Sequence, residues 1–286
     1  MTIKQILEEA ISILKQNNIE EPILKSKLLL AFVLKQEKEY LLINDNKELL
    51  EMEENEYREI INMLIEGEPI QYIIGKQEFM GLDFEVNKNV LIPRADTEIL
   101  VEEIISIIGE KDFKVLDLCT GSGAIAVSLA KKLKNIKVTA TDISLEALET
   151  AKKNAVLNDV VAKFINSDLF ENIKGSFDII VSNPPYIETD IIKTLSKDVQ
   201  HEPFIALDGG KDGLDIYRKI VNEAYKYLNE NGTLALEIGY NQKEQVINLL
   251  RESGNYIDIY SKKDFGGNDR IVIAKKIVKK ALKTIG

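Results

Sequence analysis

The sequence predicts an α/β fold: a mostly parallel sheet covered by helices on both faces, preceded by a small helical domain. Three observations carry that prediction. From about residue 96, strand-like and helix-like segments alternate, the pattern that builds a parallel sheet. Before roughly residue 66 only helical periodicity is present. Between the two lies a short alternating stretch around Gly81 that reads as a hairpin-like connector.

The elements follow in order. "TIKQILEEAISILK" carries apolar residues at 3, 6, 7, 10, 11 and 14, a helical stripe. "EPILKSKLLLAFVL" and "NEYREIINMLIEG" continue it, with Pro22 suited to a first turn and Gly67 to a stop. "QEFMGLDFEVNKNVLIPRADTE" changes to strand-like alternation. Then come a helix ("DTEILVEEIISII"), a strand ("KVLDLC"), a helix ("SGAIAVSLAKKL"), a strand ("KVTATD") and a helix ("SLEALETAKKNAVLN"). "AKFINSD" and "FDIIVSN" are strands, "DGLDIYRKIVNEAYKYL" a helix, "GTLALEIG" a strand and "QKEQVINLLRES" a helix. "YIDIYSK" and "RIVIAKK", joined by the Gly-rich "DFGGND", predict an antiparallel C-terminal edge. The expected domains are 1–75 (helical bundle, substrate recognition), 76–95 (connector) and 96–286 (catalytic sheet).

Composition narrows the class. A chain of 286 residues with 45% apolar and 29% charged residues is a globular protein of about two domains. One cysteine, Cys119, and one histidine, His201, exclude an internal disulfide and Cys- or His-cluster metal sites. The N-terminus mixes charges into its apolar pattern and is not a signal peptide, and no apolar run approaches membrane-spanning length. A cytoplasmic protein without membrane contact is expected. The net charge of −10 disfavours direct nucleic-acid binding, which draws on Lys and Arg. A monomer is expected.

"VLDLCTGSGAIA" places Gly121 and Gly123 between a strand and a helix, and Asp142 closes the next strand, about 20 residues further on. This fits an adenosine-cofactor loop. The glycines let a ligand approach the backbone, the helix N–H groups favour a negative group, and the acid binds ribose hydroxyls. The negative group is a pyrophosphate or the carboxylate of S-adenosylmethionine. Asp168 and Leu169, expected to end the third strand, stand where an adenine ring would lie. A turn role for Asp168 and core packing for Leu169 are equally compatible.

The strand "FDIIVS" ends in Asn183, Pro184, Pro185 and Tyr186. A nicotinamide enzyme has no use for that set, whereas a methyltransferase acting on a planar nitrogen does. An amide lone pair is delocalised, so catalysis needs acceptors aimed at its N–H hydrogens as positive charge grows on nitrogen. The Asn183 side-chain carbonyl and the Pro184 backbone carbonyl are two such acceptors, pre-set by proline φ angles. Tyr186 offers a flat face for stacking.

"NPPY" (183–186), "DLCTGSGAIA" (117–126) and Asp142 together resemble amino-group methyltransferases that use S-adenosylmethionine. "IPRADTE", "HEPFIALDGGKDGLDIYRKI", "LEIGYNQ" and "DFGGNDR" extend the resemblance to the protein-glutamine N5-methyltransferases of the HemK/PrmC type. Those modify the glutamine of the Gly-Gly-Gln loop of class-I peptide chain release factors. The resemblance implies a Rossmann-like class I methyltransferase sheet. It implies cofactor binding by Cys119, Thr120, Gly121, Ser122, Gly123, Asp142, Leu169 and Asn183. Substrate glutamine would be held by Asn183, Pro184, Pro185 and Tyr186. The sequence departs from the family pattern with Cys119 for glycine, Ala95 for proline and Leu169 where some members carry an aromatic. A ribosomal-protein glutamine, or an adenine or cytosine in nucleic acid, are the alternative substrates.

Other residues read more plainly. Cys119 is expected to be a space-filler with negative φ, His201 a solvated or locally bonded side chain, and Glu237 and Gly239 shapers of the sheet end. Arg94, Asp96 and Glu98 form either a connector ion cluster or ligand contacts. "GGKDGL" (209–214) reads as a turn and helix start, and the basic tail "KKIVKKALKTIG" as a solvated chain end.

Overall fold

In the computed structural model, which describes residues 1–278, the N-terminal periodicity becomes five helices: α1 (Ile3–Gln16), α2 (Pro22–Leu34), α3 (Lys38–Ile43), α4 (Glu51–Glu66) and α5 (Ile70–Ile74). A hairpin follows, β1 (Lys76–Phe79) and β2 (Leu82–Glu85), then α6 (Ala95–Ile108), β3 (Phe113–Leu118), α7 (Ala124–Lys132), β4 (Ile136–Asp142), α8 (Leu145–Leu157) and β5 (Lys163–Asn166). After β6 (Phe177–Ser182) come three short helices, α9 (Thr189–Ile192), α10 (Lys197–Gln200) and α11 (Phe204–Leu207). The order ends α12 (Asp215–Tyr227), β7 (Leu228–Glu237), α13 (Lys243–Glu252), β8 (Tyr256–Lys263) and β9 (Asp269–Lys276). Most of the basic tail, 279–286, lies outside the described residues.

The chain divides into two units, Met1–Lys76 with Ser196–His201, and Gln77–Leu195 with the remainder from Glu202. In the helical unit the apolar stripes of α1, α2 and α4 bury Ile3, Ile6, Leu14, Leu29, Leu30 and Tyr57. Thr2 and Gln5 cap α1 reciprocally through Oγ1 and Oε1. The buried Tyr57 hydroxyl donates to Ser26 O at 3.0 Å, so its polar end is satisfied inside the core. Residues 196–201, which the alternation assigns to the sheet domain, pack with these helices. Gly67 ends α4 at φ +107°. A Cβ there would stand 2.7 Å from the Lys197 Cβ, so glycine admits both the turn and the returning segment. His201 lies in this segment, exposed, with Nδ1 2.8 Å from Lys197 O, the local bonding expected of it.

The sheet unit has strand order β5-β4-β3-β6-β7-β9-β8. The pairs among β5, β4, β3, β6 and β7 are parallel; β7–β9 and β9–β8 are antiparallel. The expected antiparallel edge is present, with β9 inserted between β7 and β8. Alternate residues serve opposite faces. Leu116, Leu118, Ile180, Leu234 and Leu236 pack with Tyr217 and Ile220 of α12 and with Val246 of α13. Val115, Ile179, Val181, Ala235 and Ile273 pack with Leu100 and Ile104 of α6 and with α7.

Register positions the site. Leu118 is level with Thr141 of β4 and with Ser182 of β6, and Ser182 is level with Leu236 of β7. Cys119, Asp142, Asn183 and Glu237 therefore leave the sheet side by side. This is the carboxyl edge at the point where strand order reverses, the ligand-binding crevice of open parallel sheets.

Gly67→Ala should destabilise the helical unit by about 1–3 kcal/mol, from left-handed strain and the Lys197 contact; a urea melt of the full chain showing no shift in midpoint would contradict this.

Candidate active site

The loop leaving β3 turns through left-handed backbone. Cys119 has φ +57°, Gly121 +55° and Gly123 +82°. This corrects the expectation for Cys119: its position is one that glycine favours, and its side chain bears a steric penalty there. The side chain is half-buried against the α12 side of the core, and burial pushes its thiol pKa well up, so it is no thiolate at neutral pH. Gly123 packs on α8, where an added Cβ would meet the Ala151 Cβ at 3.0 Å. Gly121 is the opposite case: a Cβ there would meet nothing within 4 Å, so the loop opens onto free space.

Hydrogen bonds fix the loop from three sides. Thr120 N donates to Thr141 O at 2.9 Å, and Thr120 Oγ1 donates to Asp117 Oδ2 at 2.6 Å. Gly121 N donates to Asp142 Oδ2 at 2.8 Å, and Ser144 N to Asp142 Oδ1 at 2.9 Å. Each carboxylate oxygen of Asp142 keeps a lone pair for a further donor. Burial raises the Asp142 pKa, and the backbone N–H groups of Ser144, Gly121 and Ile143 oppose that shift. Asn154 of α8 donates to Ser122 O at 2.8 Å and accepts from Glu85 N at 2.6 Å, tying loop to hairpin.

A cleft of about 970 Å³, its open mouth included, lies over the sheet edge. Its walls include Cys119, Gly121, Asp142, Asp168, Leu169 and Asn183, and also Pro185. A smaller adjoining hollow takes in Thr120 and Ser122, again with Cys119, Gly121 and Asn183. Gly123, Pro184 and Tyr186 stand outside both linings. β5 stops at Asn166, so Asp168 and Leu169 lie in the following turn and not on the strand. Leu169, at φ +46°, both lines the cleft and belongs to the core.

Residues that the motifs did not mark complete the cleft. Ile143 follows Asp142 and is 50% exposed on the cleft wall, an apolar surface fit for a flat ring. Val90 and Leu91 come from the connector, and Pro203, Ile205 and Ala206 from the start and body of the short helix α11. An apolar residue directly after the strand-ending acid is the available signal for Ile143. The connector and α11 residues carry none.

The Asn-Pro-Pro-Tyr segment is clamped from behind. Gln242 Nε2 donates to Tyr186 O at 2.9 Å and to Gly213 O at 3.2 Å, while its Oε1 accepts from Gly239 N at 3.0 Å. Ile187 N donates to Leu207 O and Gly209 N to Ile187 O. Gly209 and Gly213 approach Tyr186 so closely that a Cβ would sit 2.8 Å from its Cα and 2.4 Å from its O. The "GGKDGL" run thus holds the segment in place as well as starting α12. Burial, then the Glu237 charge, raises the Tyr186 hydroxyl pKa to about 12, so it is neutral.

The charged residues of "PRADTE" separate. Arg94 pairs with buried Glu202, whose Oε2 accepts from Ile92 N at 2.9 Å. Asp96 pairs with Arg270 at 3.1 Å, and Glu98 accepts from Met80 N at 2.6 Å. Thr97, on the first turn of α6, is buried and accepts from Asn183 Nδ2 at 3.3 Å. Glu237 is 1% exposed, and burial raises its pKa to about 7.

Among known proteins, residues 95–202 match the family model "Methyltransferase small domain" and residues 5–75 the "PrmC N-terminal domain". A release factor glutamine methyltransferase of Clostridium acetobutylicum is 46% identical over 96% of this chain and 98% of its own. One from Clostridium botulinum is 41% identical over 96% of this chain and 100% of its own. The chain belongs to the release factor glutamine methyltransferases. The crystal structure of a methyltransferase from Pyrococcus furiosus is similar to this member of the family with a TM-score of 0.53 and 26% identity, covering 70% of this chain and 91% of that one. Among the described residues no helix is long and apolar enough to cross a membrane, and no cluster of His, Cys, Asp or Glu is arranged to hold a metal.

Cys119→Gly is expected to leave the thermal midpoint unchanged or raised, whereas the β-branched Cys119→Val should lower it by about 1–3 kcal/mol equivalent; parallel melts of the two variants decide, and an unaffected valine variant would show that the turn carries no strain.

Proposed function

We propose that this protein transfers a methyl group from S-adenosylmethionine to the side-chain amide N5 of the glutamine in the Gly-Gly-Gln loop of class-I release factors. The observation that carries this reading is the register of β4, β3 and β6. It sets Asn183 beside an adenosine-type loop and its acid at one sheet edge.

The residues present suit the cofactor. Open space over Gly121, the oriented Asp142 carboxylate and the apolar Ile143 and Leu169 form a cradle for a nucleoside with a charged tail. The loop 119–123, Asp142, Asp168, Leu169 and Asn183 would hold it. Bound S-adenosylmethionine would supply an electrophilic sulfonium methyl group.

The chain's own groups would do the rest. Asn183 Oδ1 and the Pro184 carbonyl would accept from the two N–H bonds of the glutamine amide, stabilising charge on nitrogen as it attacks. The Tyr186 ring would flank the planar amide, and Pro185 would shape the wall. The Gln242 bond to the Tyr186 main-chain carbonyl holds the segment from behind without any substrate, which limits the reorganisation needed. The N-methylated cation is acidic enough to lose its proton to water, so no histidine base is required. A release factor is favoured over a ribosomal-protein glutamine by the names of the relatives, and over nucleic acid also by the net charge of −10.

A glutamine side chain offers few contacts, and a standard protein interface buries about 800 Å² per partner. The helical domain, 1–75, is assigned the role of supplying much of that surface.

Incubation with labelled S-adenosylmethionine and release factor, followed by mass spectrometry of the Gly-Gly-Gln peptide, tests the activity. Asn183→Ala should lower turnover by about 10²–10³-fold, and near-wild-type turnover would sink the mechanism. Removal of residues 1–75 should leave cofactor binding by calorimetry in place while raising the KM for intact release factor; an unchanged KM in a folded variant would remove the recognition role.

A further inference from the structure

Beneath Asn183 lies a polar group that neither packing nor cofactor binding explains. Glu237 ends β7 directly beside Asn183, because Ser182 and Leu236 are level in the sheet. Its carboxylate is 1% exposed, and Oε2 has no hydrogen-bond partner. A buried oxygen left without a donor lowers stability. Thr97 and Asn183 are the polar side chains beside this carboxylate, and both act to lower its pKa against the rise from burial. Asn183 Nδ2 in turn donates to Thr97 Oγ1 at 3.3 Å.

We propose that Glu237 is a positioning residue which, with the Thr97 hydroxyl, fixes the orientation of the Asn183 amide so that Oδ1 is presented to the reacting nitrogen. This rests on the methyl-transfer reading of the site.

The argument is one of donor direction. An amide has two nearly isosteric ends, and rotation about its last bond would exchange an acceptor for a donor. Only the acceptor can stabilise a nitrogen that is becoming positive. An ionised carboxylate accepts and never donates. Thr97 has one hydroxyl hydrogen, so when that hydrogen points at Glu237 the oxygen is left to accept. The group it accepts from is the Asn183 NH₂, and Oδ1 is then turned the other way. Among the described residues no donor engages Asn183 Oδ1. A protonated Glu237 could donate to Thr97, and the relay would lose its single direction.

The surroundings place this switch in the neutral range. The charged and titratable groups about Glu237 are Asp96 of α6, Arg270 of β9, Tyr186 and Tyr217 of α12. Burial raises the Glu237 pKa to about 7, against the hydrogen bonds and the Arg270 charge that lower it. The ionised, orienting form is therefore present above that pH and lost as pH falls through it.

The test uses the full chain with S-adenosylmethionine and intact release factor, and compares Glu237→Gln, Thr97→Val, Thr97→Ser and Asn183→Ala. Glu237→Gln should lower kcat about 10- to 100-fold, less than loss of Asn183 itself. The KM for release factor and the calorimetric Kd for S-adenosylmethionine should stay within about twofold, as expected when only transition-state stabilisation is lost. The acidic limb of the wild-type kcat profile near neutral pH should vanish in this variant. Thr97→Val should reproduce the kcat loss, Thr97→Ser should restore most of it, and the Glu237→Gln/Thr97→Val double variant should lose little more than either single one. If Asn183→Ala is impaired while Glu237→Gln keeps both wild-type kcat and its pH profile, the relay is wrong and the site reading stands. If Asn183→Ala itself is unimpaired, the site reading fails first. A folded Glu237→Gln variant whose whole defect lies in cofactor affinity, or a Thr97→Ser variant as poor as Thr97→Val, also overturns the relay.

Discussion

Parallel strands β4, β3, β6 and β7 end on one line because their backbone ladders share a register, Thr141 with Leu118, Leu118 with Ser182, and Ser182 with Leu236. A slip of one residue in any pair would turn every side chain of that strand to the other face of the sheet. It would also carry Asp142 or Asn183 to the wrong side of the crevice. The two apolar clusters, Leu116 with Ile180 on one face and Val115 with Ile179 on the other, therefore do more than stabilise. They are what holds the glycine loop, the acid and the amide at a common level.

Around that line the site is built largely from backbone. Thr120, Gly121 and Ser144 use main-chain N–H groups to fix loop and acid. Gln242 holds the Tyr186 and Gly213 carbonyls. Such an arrangement is rigid before any ligand binds, which suits electrostatic stabilisation of a transition state. The left-handed conformations at Cys119 and Leu169 are the strained points in it.

Much of this was legible in the sequence, because the signals were local. Alternation of strand and helix, Pro22 at a first helical turn and Gly67 at a stop each act within a few residues, and each sits where the pattern placed it. The antiparallel edge was legible from the Gly-rich "DFGGND". What escaped depends on contacts between distant segments. Nothing near residue 196 announces that 196–201 would join the helical unit. Asn154 looks like an ordinary surface position of an amphipathic helix until Glu85 and Ser122 are brought to it. The burial of Glu237 and its neighbour 54 positions away are likewise invisible in "LEIG". The positive φ of Cys119 is hidden because a cysteine gives no hint of it, whereas the glycine usual in the family does.

The insertion of β9 between β7 and β8 has a consequence for how the molecule is made. Without residues 269–276, β7 would have a ladder partner in β6 on one side only, and its other edge would stay open. That edge would leave the main-chain groups of the apolar run 233–237 without ladder partners. An open apolar edge is a template for pairing with other chains. β8 emerges first but cannot cap it directly; the β8–β9 hairpin has to dock with its second strand inward. A chain in which β9 has not closed against β7 would therefore present an unsealed sheet edge, the kind of surface at which aggregation competes with productive folding.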